Sequence, residues 1–435
     1  MERSRCAAAA FIAFERLLLE RLAGRVATSP SLATKITWCR ELWAAAQRIR
    51  ALRRAVPPDV AAAGCRSLPD AAAVQLIEAW AALDDEALVA VAFDGVIVPF
   101  AIGAYARHAS DGVASAVRAV LAGLRRRHRH GRTRRPRSIE SSRMVAGLRR
   151  LAEHGDVALG ACRSRMSSAR TSAAIGEPAR GRAIAALRAG EAREEIWFVG
   201  SPGDESRYLH QLVAFEINTF EAVSRHIAEF AAMPWEFHWD MACQIRDEVA
   251  HLGLWLGRLG RMGVRLGEHL LSVHEFSACA GHSLAGRLAL LERLIESSAL
   301  DSIDLHRCLW ASRGDATMVA YFARVQLDEI GHVRCGNKWL RRLCEDDDEL
   351  RRLVDRAEAT SRERMLNDAL RLERAGIVPP GNVERVRRRF DDPLQLEIDR
   401  RARLRAGFSA AEVAAEVDRR RAGAAPHSEE ERFQW

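Results

Sequence analysis

Two short motifs of nearly identical sequence carry residue types that bind transition metals. They are Asp247-Glu248-Val249-Ala250-His251 and Asp328-Glu329-Ile330-Gly331-His332, and they contain the only Glu-x-x-His spacings in the 435 residues. Residues three apart on an α-helix lie about 60° apart around its axis, so the carboxylate and the imidazole of each motif face the same way. Each motif can bind one cation, and the two together predict a pair of metal ions.

A paired metal site in a four-helix bundle needs two further carboxylates able to bridge the ions, one from each remaining helix. Glu216 is the candidate on the first helix because residues 212–215 beside it are apolar. Its competitor Glu221 lies about 140° further around that helix. Glu296 is the candidate on the third helix, and Glu292, four residues away on the same face, stays open as an alternative. The predicted metal ligands are Glu216, Glu248, His251, Glu296, Glu329 and His332.

The separations of these residues along the chain fit two helical hairpins. A turn signal at Met233-Pro234 divides the first ligand pair, and a helix stop followed by an N-cap signal at Gly314-Asp315 divides the second. The ligand glutamates are 32 and 33 residues apart within the hairpins and 48 apart between them. At about 1.5 Å per residue, the outward and return paths match, so the ligands meet at one level. The longer middle gap fits the long crossover between helices 2 and 3 of a ferritin-like bundle.

The aspartates that precede the two motif glutamates are candidates for a supporting role. A metal-bound histidine usually donates its other N–H to a carboxylate, which fixes its tautomer. We expect Asp247 and Asp328 to do this, each for the histidine of the opposite helix, and the alternative is that they are surface residues. A zinc protease of the His-Glu-x-x-His type is excluded, because neither motif has the first histidine.

The remaining sequence predicts an all-α protein with several regions. It is 48% hydrophobic, and no long stretch alternates as a strand does. We expect an N-terminal helical region over 1–124, a basic and poorly ordered linker over 125–190, a ferritin-like di-metal domain over 191–345 and a charged helical tail over 346–435. Nine scattered Cys without a Cys-x-x-Cys pair favour reduced thiols and a cytoplasmic location. The apolar patch at 7–14 is too short to span a membrane, so no membrane association is expected.

The net charge of +8 arises in one segment. Between Arg125 and Arg150 there are eleven Arg and one Glu, a local charge of +10, which leaves −2 for the rest of the chain. Such a run can attract RNA, and Arg125–Arg137 is the candidate for that contact. A solvated linker is the more common structure for a run of this kind, and we expect it here.

The stretch from about residue 208 to 344 resembles an uncharacterised bacterial ferritin-like family, a domain of unknown function. Four segments carry the resemblance, at 209–216, 246–251, 296–301 and 328–337. It implies a ferritin-like fold and the metal site, and it favours Glu296 over Glu292 because the family's third-helix glutamate precedes a Leu-Asp at the same offset. The family is distantly similar to non-haem di-iron tRNA hydroxylases and ferritin-like di-iron monooxygenases. One departure is Gln211, where the pattern has Glu beside His210.

The N-terminal region shows a weaker echo of the same pattern. Ala13-Phe14-Glu15 matches residues 214–216, and residues 39–47 can be laid on 243–251. That alignment places Ala44 and Gln47 where Glu248 and His251 stand, so a degenerate copy could bind no metal and its role would be structural. An unrelated helical domain is the alternative.

Imidazole and carboxylate ligands suit iron, with manganese as the nearest rival. We therefore expect two iron ions in a non-haem di-iron protein, an O₂-dependent oxygenase or oxidase of an organic substrate. The second hypothesis is an iron or manganese protein, a ferroxidase or peroxide-handling protein, without an organic substrate. The third is a non-enzymatic helical binding protein. No feature of the sequence identifies the substrate or the electron donor.

Overall fold

Helices dominate the part of the chain that the computed structural model describes. The described residues are 2–107, 114–131, 139–154, 163–164, 202–269, 271, 274–279, 282–376, 380–381, 383–384, 387 and 398–423. Within them the only strands are β1 (Ser67–Leu68) and β2 (Arg163–Ser164), which pair antiparallel. The all-α prediction is therefore confirmed.

The chain divides into two compact units. The first comprises Met1–Ala179 and Ser224–Ala242, and the second comprises Arg180–Val223 and Cys243–Trp435. The division falls inside two long helices, at 202–229 and 235–261. The seven described cysteines are all free, as the scattered Cys spacing predicts.

The first unit is organised around the hairpin of its first two helices, which contact each other extensively. Residues 7–20 of the first helix are all buried, so this stretch has no solvent-facing side. The helices are α1 (Glu2–Thr28), α2 (Leu32–Arg54), α3 (Pro58–Arg66), α4 (Ala71–Ala81), α5 (Glu86–Ala92), α6 (Val98–Arg107), α7 (Ala114–Gly131) and α8 (Ile139–His154), and a π-helical segment, Phe93–Ile97, joins α5 to α6.

One continuous apolar stretch of this unit, residues 86–107, has the length and composition of a membrane span. However, 67% of its most apolar part is buried inside the protein. Burial of this extent is the pattern of a core helix in a soluble protein, where the apolar surface packs against neighbouring helices.

Glu15, the N-terminal echo of Glu216, is buried beside a cation. Arg48 donates from Nε to Glu15 Oε1 at 2.8 Å, and the Tyr105 hydroxyl donates to the same oxygen at 3.0 Å. Gln47, the residue laid on His251, is exposed. The first unit thus balances this buried carboxylate with an arginine, and the degenerate-copy hypothesis stays a prediction.

The segment expected to be poorly ordered is mostly helical where the structure describes it, and its only other described residues form β2. The helix α7 ends at Gly131, and α8 covers residues 139–154, while most of 155–190 lies outside the described residues. The physical reason is an apolar stripe at positions 117, 120, 121 and 124, all of which are buried. Arg127 is itself paired with Glu41 at 2.6 Å and with Asp94. At least this arginine of the basic run is therefore part of the first unit's own packing.

The second unit contains the two Glu-x-x-His motifs and the residues of the predicted tail. Its helices are α9 (Pro202–Glu229), α10 (Trp235–Arg261), α11 (His274–Cys279), α12 (Leu284–Leu288), α13 (Ser297–Ser312), α14 (Ala316–Leu343), α15 (Asp347–Arg374), α16 (Arg400–Arg405) and α17 (Ala410–Gly423), and a π-helical segment, Ala289–Glu296, joins α12 to α13. The C-terminal end of α9, from Ser224, and the beginning of α10, up to Ala242, belong to the first unit.

The two predicted hairpin turns are confirmed. The helix α9 ends at Glu229 and α10 begins at Trp235, directly after Pro234. Between α13 and α14, Gly314 has φ +71°, a conformation that side chains with a Cβ rarely adopt. Asp315 then caps α14, because its carboxylate accepts from the Met318 N–H at 3.0 Å.

The C-terminal residues that the structure describes belong to the second unit and do not form a separate tail. The helix α15 contacts the π-helical segment, and α16 contacts α13 and α14. The physical reason is a small apolar cluster in which residues of α16 and α17 bury side chains of α13 and α14. Its members are Leu300, Ile330, Val333, Ala402, Ala406, Phe408 and Val413.

A buried aspartate fastens these C-terminal helices to α13. The Asp301 carboxylate is fully buried and accepts from the Arg403 guanidinium at 3.1 and 2.6 Å and from Arg420 at 2.8 Å. We expect Asp301→Ala to lower the free energy of unfolding by about 3–5 kcal/mol, because it leaves the buried Arg403 uncompensated. Urea unfolding measures the change. The matched control is Asp304→Ala on the same helix, whose side chain is 53% exposed, and an equal loss in both variants would contradict the prediction.

Candidate metal centre

The six predicted ligand residues come together in the second unit. Glu216 lies on α9, one Glu-x-x-His pair on each of α10 and α14, and Glu296 at the end of the π-helical segment. The His251 imidazole is surrounded by carboxylates. Its Nδ1 lies 3.4 Å from Glu248 Oε2, 3.7 Å from Glu216 Oε2 and 3.7 Å from Glu329 Oε1.

The second histidine has a matching environment. His332 Nδ1 lies 3.2 Å from Glu248 Oε1, 3.3 Å from Glu296 Oε2 and 3.3 Å from Glu329 Oε2. The two imidazole rings have centroids 6.2 Å apart. The cluster is therefore arranged around two histidines, with an approximate equivalence between the two Glu-x-x-His motifs.

The glutamates differ in how many histidines they reach. Glu248 and Glu329 each direct one oxygen to His251 and the other to His332. Glu216 approaches only His251, and Glu296 approaches only His332. The motif glutamates thus span the cluster, and the lone glutamates, expected from the sequence to be bridging or terminal ligands, each approach one histidine.

Two overlapping triads have the geometry of cation sites. In each triad one ligand atom per residue lies within 4.8 Å of the others, and Glu248 belongs to both. The triads are Glu216, Glu248 and His251, and Glu248, Glu296 and His332.

The cluster is buried and its polar atoms are not satisfied by the protein. All six side chains are at most 5% exposed. No described Arg or Lys pairs with the four carboxylates, and most of the atoms that face one another have no hydrogen-bond partner. These atoms include both oxygens of Glu248, one oxygen each of Glu216, Glu296 and Glu329, and the Nδ1 atoms of His251 and His332. A buried polar atom without a partner costs about 1–3 kcal/mol, so the arrangement is one that a bound cation would stabilise.

Burial and the mutual proximity of these groups shift their pKa values. Burial raises the pKa of Glu216 to about 8 and raises the pKa of Glu296 well above its ordinary range. Burial alone would also raise the pKa of Glu248, but the two histidines outweigh it and lower that pKa. The carboxylates in turn raise the pKa of both histidines despite burial. Without a cation, the raised pKa values favour protonated forms of the lone glutamates and the histidines, which reduces the repulsion between the buried carboxylates. A cation would displace these protons.

Each histidine has a carboxylate on the side away from the cluster. His251 Nε2 donates to Asp328 at 3.2 Å, and Asp328 also accepts from Arg324 at 2.7 Å. His332 Nε2 lies 3.7 Å from Asp247. The hydrogen bond expected from the sequence is therefore present at His251, whereas His332 Nε2 is near Asp247 but has no hydrogen-bond partner. With a cation bound, the contact with Asp328 would keep a proton of His251 on Nε2, and the Nδ1 lone pair would face the cation.

Two residues that the sequence analysis missed position the lone glutamates. Trp255 donates from Nε1 to Glu216 Oε1 at 2.8 Å, and Gln244 donates from Nε2 to Glu296 Oε1 at 3.0 Å. Both lie on α10, four residues after His251 and four before Glu248. That spacing puts all four residues on one helical face, which is a signal that could have identified them.

Glu292, the alternative to Glu296, also faces the interior. It is fully buried, both of its carboxylate oxygens lack a partner, and burial raises its pKa to about 8. Gly336 makes room for it, because a Cβ at position 336 would lie 2.3 Å from Glu292 Cβ. Both glutamates therefore face the interior, and Glu296, the predicted ligand, is the one that approaches His332.

A cavity of about 320 Å³ reaches the cluster from one side. Glu216 and Glu329 are among its lining residues, together with side chains of α9, α13, α14 and α15. His306 also lines it and is held by the Tyr208 hydroxyl, 3.1 Å from its Nδ1.

The neutral state of His306 makes stability depend on pH. Burial lowers the pKa of His306 to about 4, whereas an unfolded chain has a histidine pKa of 6.5. As pH falls from 7 to 5, the unfolded state gains a proton that the folded state does not, so stability is lost across this window. With chelator present, we expect the free energy of unfolding to fall between pH 7 and pH 5 by about 2 kcal/mol more in the parent protein than in His306→Phe. Unfolding free energies at pH 7, 6 and 5 measure the difference, and parallel profiles would contradict it.

Comparison with known proteins places the chain in a family. An uncharacterized protein of Haemophilus influenzae is 31% identical over 96 residues, which are 22% of this chain and 33% of that protein. The chain thus spans about a third of the length of this relative. No solved structure matches. The profile of a family described as a protein of unknown function, DUF455, matches residues 139–380, more than half of the chain and all six clustered residues. The chain therefore belongs to the DUF455 family.

Proposed function

We propose that this chain is a ferritin-like protein that holds two iron ions and uses O₂ to oxidise an organic substrate. The four bundle helices are α9, α10, the helix that contains Glu296, and α14. The observation that carries the proposal is the buried cluster of four carboxylates and two imidazoles whose facing atoms have no protein partner. Two Glu-x-x-His pairs and two lone glutamates are the ligand set of carboxylate-bridged di-iron bundles.

The residues fit a pair of cations. Glu216 and His251 would hold one ion, Glu296 and His332 the other, and Glu248 and Glu329, which span both histidines, would be shared. Imidazole and carboxylate donors suit iron and, next to it, manganese. When bound, two ferrous ions supply electrons for the reduction of O₂, a reaction that no amino-acid side chain performs.

The chain's own residues orient the ligands and keep water out. Trp255 and Gln244 fix the carboxylates of the lone glutamates, each through one hydrogen bond. Asp328 fixes the tautomer of His251. Because every member of the cluster is buried, a substrate would meet the site only through the adjoining cavity, whose wall includes Glu216 and Glu329.

For a hydroxylation, one oxygen atom of O₂ enters a C–H bond as a hydroxyl group and the other leaves as water. This balance requires two electrons from an external reductant and two protons. Manganese or iron binding without an organic substrate is the second candidate, because the ligand set alone accounts for it. The cavity that reaches the cluster favours the oxidative reaction.

The test is metal content followed by O₂ uptake. Full-length protein reconstituted anaerobically with ferrous iron should hold about two iron atoms per chain by elemental analysis. His332→Ala should lose iron, whereas His210→Gln, which replaces a buried histidine bonded only to backbone groups, should retain it. A folded protein that takes up neither iron nor manganese would overturn the proposal. Iron uptake without substrate-dependent O₂ consumption across a panel of organic compounds would favour the second candidate.

A further inference from the structure

The cavity beside the cluster has the size of a small organic molecule. Its volume of about 320 Å³ is roughly twice that of the ~150 Å³ engineered cavity that binds benzene, so it can hold about ten to fifteen non-hydrogen atoms. Its lining includes Glu216 and Glu329 of the cluster. It also includes Glu358, whose side chain is 41% exposed.

Apart from these glutamates, the wall of the cavity is largely apolar. It presents aliphatic and aromatic side chains from α9, the π-helical segment, α13 and α14, which provide contact area without fixed charge. They include Leu212, Phe215, Leu294, Ile303, Phe322 and Val325.

The polar side chains of the wall already have partners within the protein. Ser298 donates to the Ile295 carbonyl at 2.6 Å, and Ser302 donates to the Ala299 carbonyl at 3.3 Å. Glu275 accepts from the Asn218 amide at 2.7 Å. These bonds use the donor capacity of the serine hydroxyls, so the wall offers little to a ligand that requires several hydrogen bonds.

The charge of the wall excludes anions. No Lys or Arg is among the described lining residues, and burial keeps His306 neutral at physiological pH. A carboxylate or phosphate in this cavity would have no cationic partner and would face the acidic groups of the cluster. Burying a charge without a partner is strongly unfavourable.

We infer that this cavity binds an uncharged, largely apolar organic molecule of about ten to fifteen non-hydrogen atoms, with one edge against Glu216 and Glu329. That this molecule is the substrate rests on the proposed function. The reacting position of the bound molecule would be the part nearest Glu216 and Glu329, because the other lining side chains are largely apolar.

Three probes of one shape test the class of ligand. Naphthalene, 2-naphthoate and naphthalen-2-ylmethylammonium are titrated calorimetrically into the full-length protein under anaerobic conditions. We expect saturable binding of naphthalene and at least about tenfold weaker binding of 2-naphthoate, because its charge would have no cationic partner among the lining residues. Equal or tighter binding of the anion or of the ammonium compound would overturn the uncharged class.

A matched pair of variants tests the location. Ala299→Trp fills the cavity from α13, and Leu305→Trp adds the same side chain to the same helix at a position that is 36% exposed and does not line the cavity. Naphthalene affinity should fall at least about tenfold in the first variant and remain in the second. Unchanged affinity in both, or no saturable binding by the parent, would refute the inference.

Metal analysis of the same samples separates this inference from the proposed function. A protein that binds naphthalene but no metal supports the cavity assignment and refutes the di-iron proposal. A protein that binds two metal ions but no naphthalene supports the di-iron proposal and refutes the cavity assignment. Ala299→Trp should retain its metal, because Ala299 is not one of the clustered residues.

Discussion

Glu248→Ala should lose both metal ions, whereas loss of a lone glutamate should weaken mainly one. Glu248 is the residue common to the two triads, with one oxygen 3.4 Å from His251 and the other 3.2 Å from His332. Glu216 and Glu296 each approach a single histidine. Replacing a residue that merely supports a ligand already costs about 10–100-fold in metal affinity, so removal of a shared ligand should cost more than about 100-fold at each ion.

Calorimetric titration with ferrous iron or, as a redox-stable substitute, zinc measures this effect. Glu216→Ala and Glu296→Ala are the matched variants, and each should retain one tighter site. Circular dichroism confirms that the variants are folded. If Glu248→Ala bound two ions with parental affinity, the shared position assigned to Glu248 would be wrong.

Metal removal should produce the second large effect, a loss of thermal stability. An ion that binds only the folded state stabilises it by about 4 kcal/mol when its concentration is 1,000 times its dissociation constant. For two ions, we expect the midpoint of thermal unfolding to fall by on the order of 10–20 °C after chelation. The unpartnered buried carboxylates and imidazoles are the reason, because they lose the cations that compensate them.

Differential scanning calorimetry before and after chelation measures the shift, and adding metal back should restore the midpoint. Metal binding displaces the protons of Glu216 and Glu296, so the stabilisation should grow as pH rises from about 6 to 8, where the raised pKa of Glu216 is crossed. Glu248→Ala serves as the control that should not respond to chelator. An equal response in that variant would show that the stabilising ion binds elsewhere.

The parts of the site that the sequence could predict depend on local signals. The Glu-x-x-His spacing follows from helix geometry alone, and the turn at Gly314-Asp315 follows from a positive φ and a side-chain cap. Equal arm lengths within each hairpin then indicate which carboxylates meet. None of these steps requires knowledge of packing, which is why the six residues could be selected before the fold was known.

The parts that could not be predicted depend on tertiary contacts. The π-helical segment Ala289–Glu296 has no local signal in the sequence, nor does the close approach of Gly336 that makes room for Glu292. The hydrogen bonds from Gln244 and Trp255 depend on how α10 faces its neighbours. The order of α7 was missed because its apolar stripe precedes the arginine run, and composition beyond residue 125 conceals that the helix continues.

Composition gave no sign of how the charged C-terminal helices pack. Phe408 and Val413 are buried against α13 and α14. Asp301 forms ion pairs with two arginines of these C-terminal helices, Arg403 and Arg420. A few apolar residues and one buried carboxylate therefore attach a stretch that average hydropathy assigns to solvent.

The close approach of Gly336 to Glu292 makes the residue type allowed at position 336 depend on the backbone path at position 292. The contact is between β-carbons, 2.3 Å apart if position 336 carried a side chain, so shortening Glu292 to alanine would not relieve it. Any residue other than glycine at 336 would require the backbone at Glu292 or the backbone of α14 to shift. Glycine at this position is therefore a marker by which relatives that keep the two-carboxylate turn can be recognised from their sequences, even where the surrounding residues have diverged.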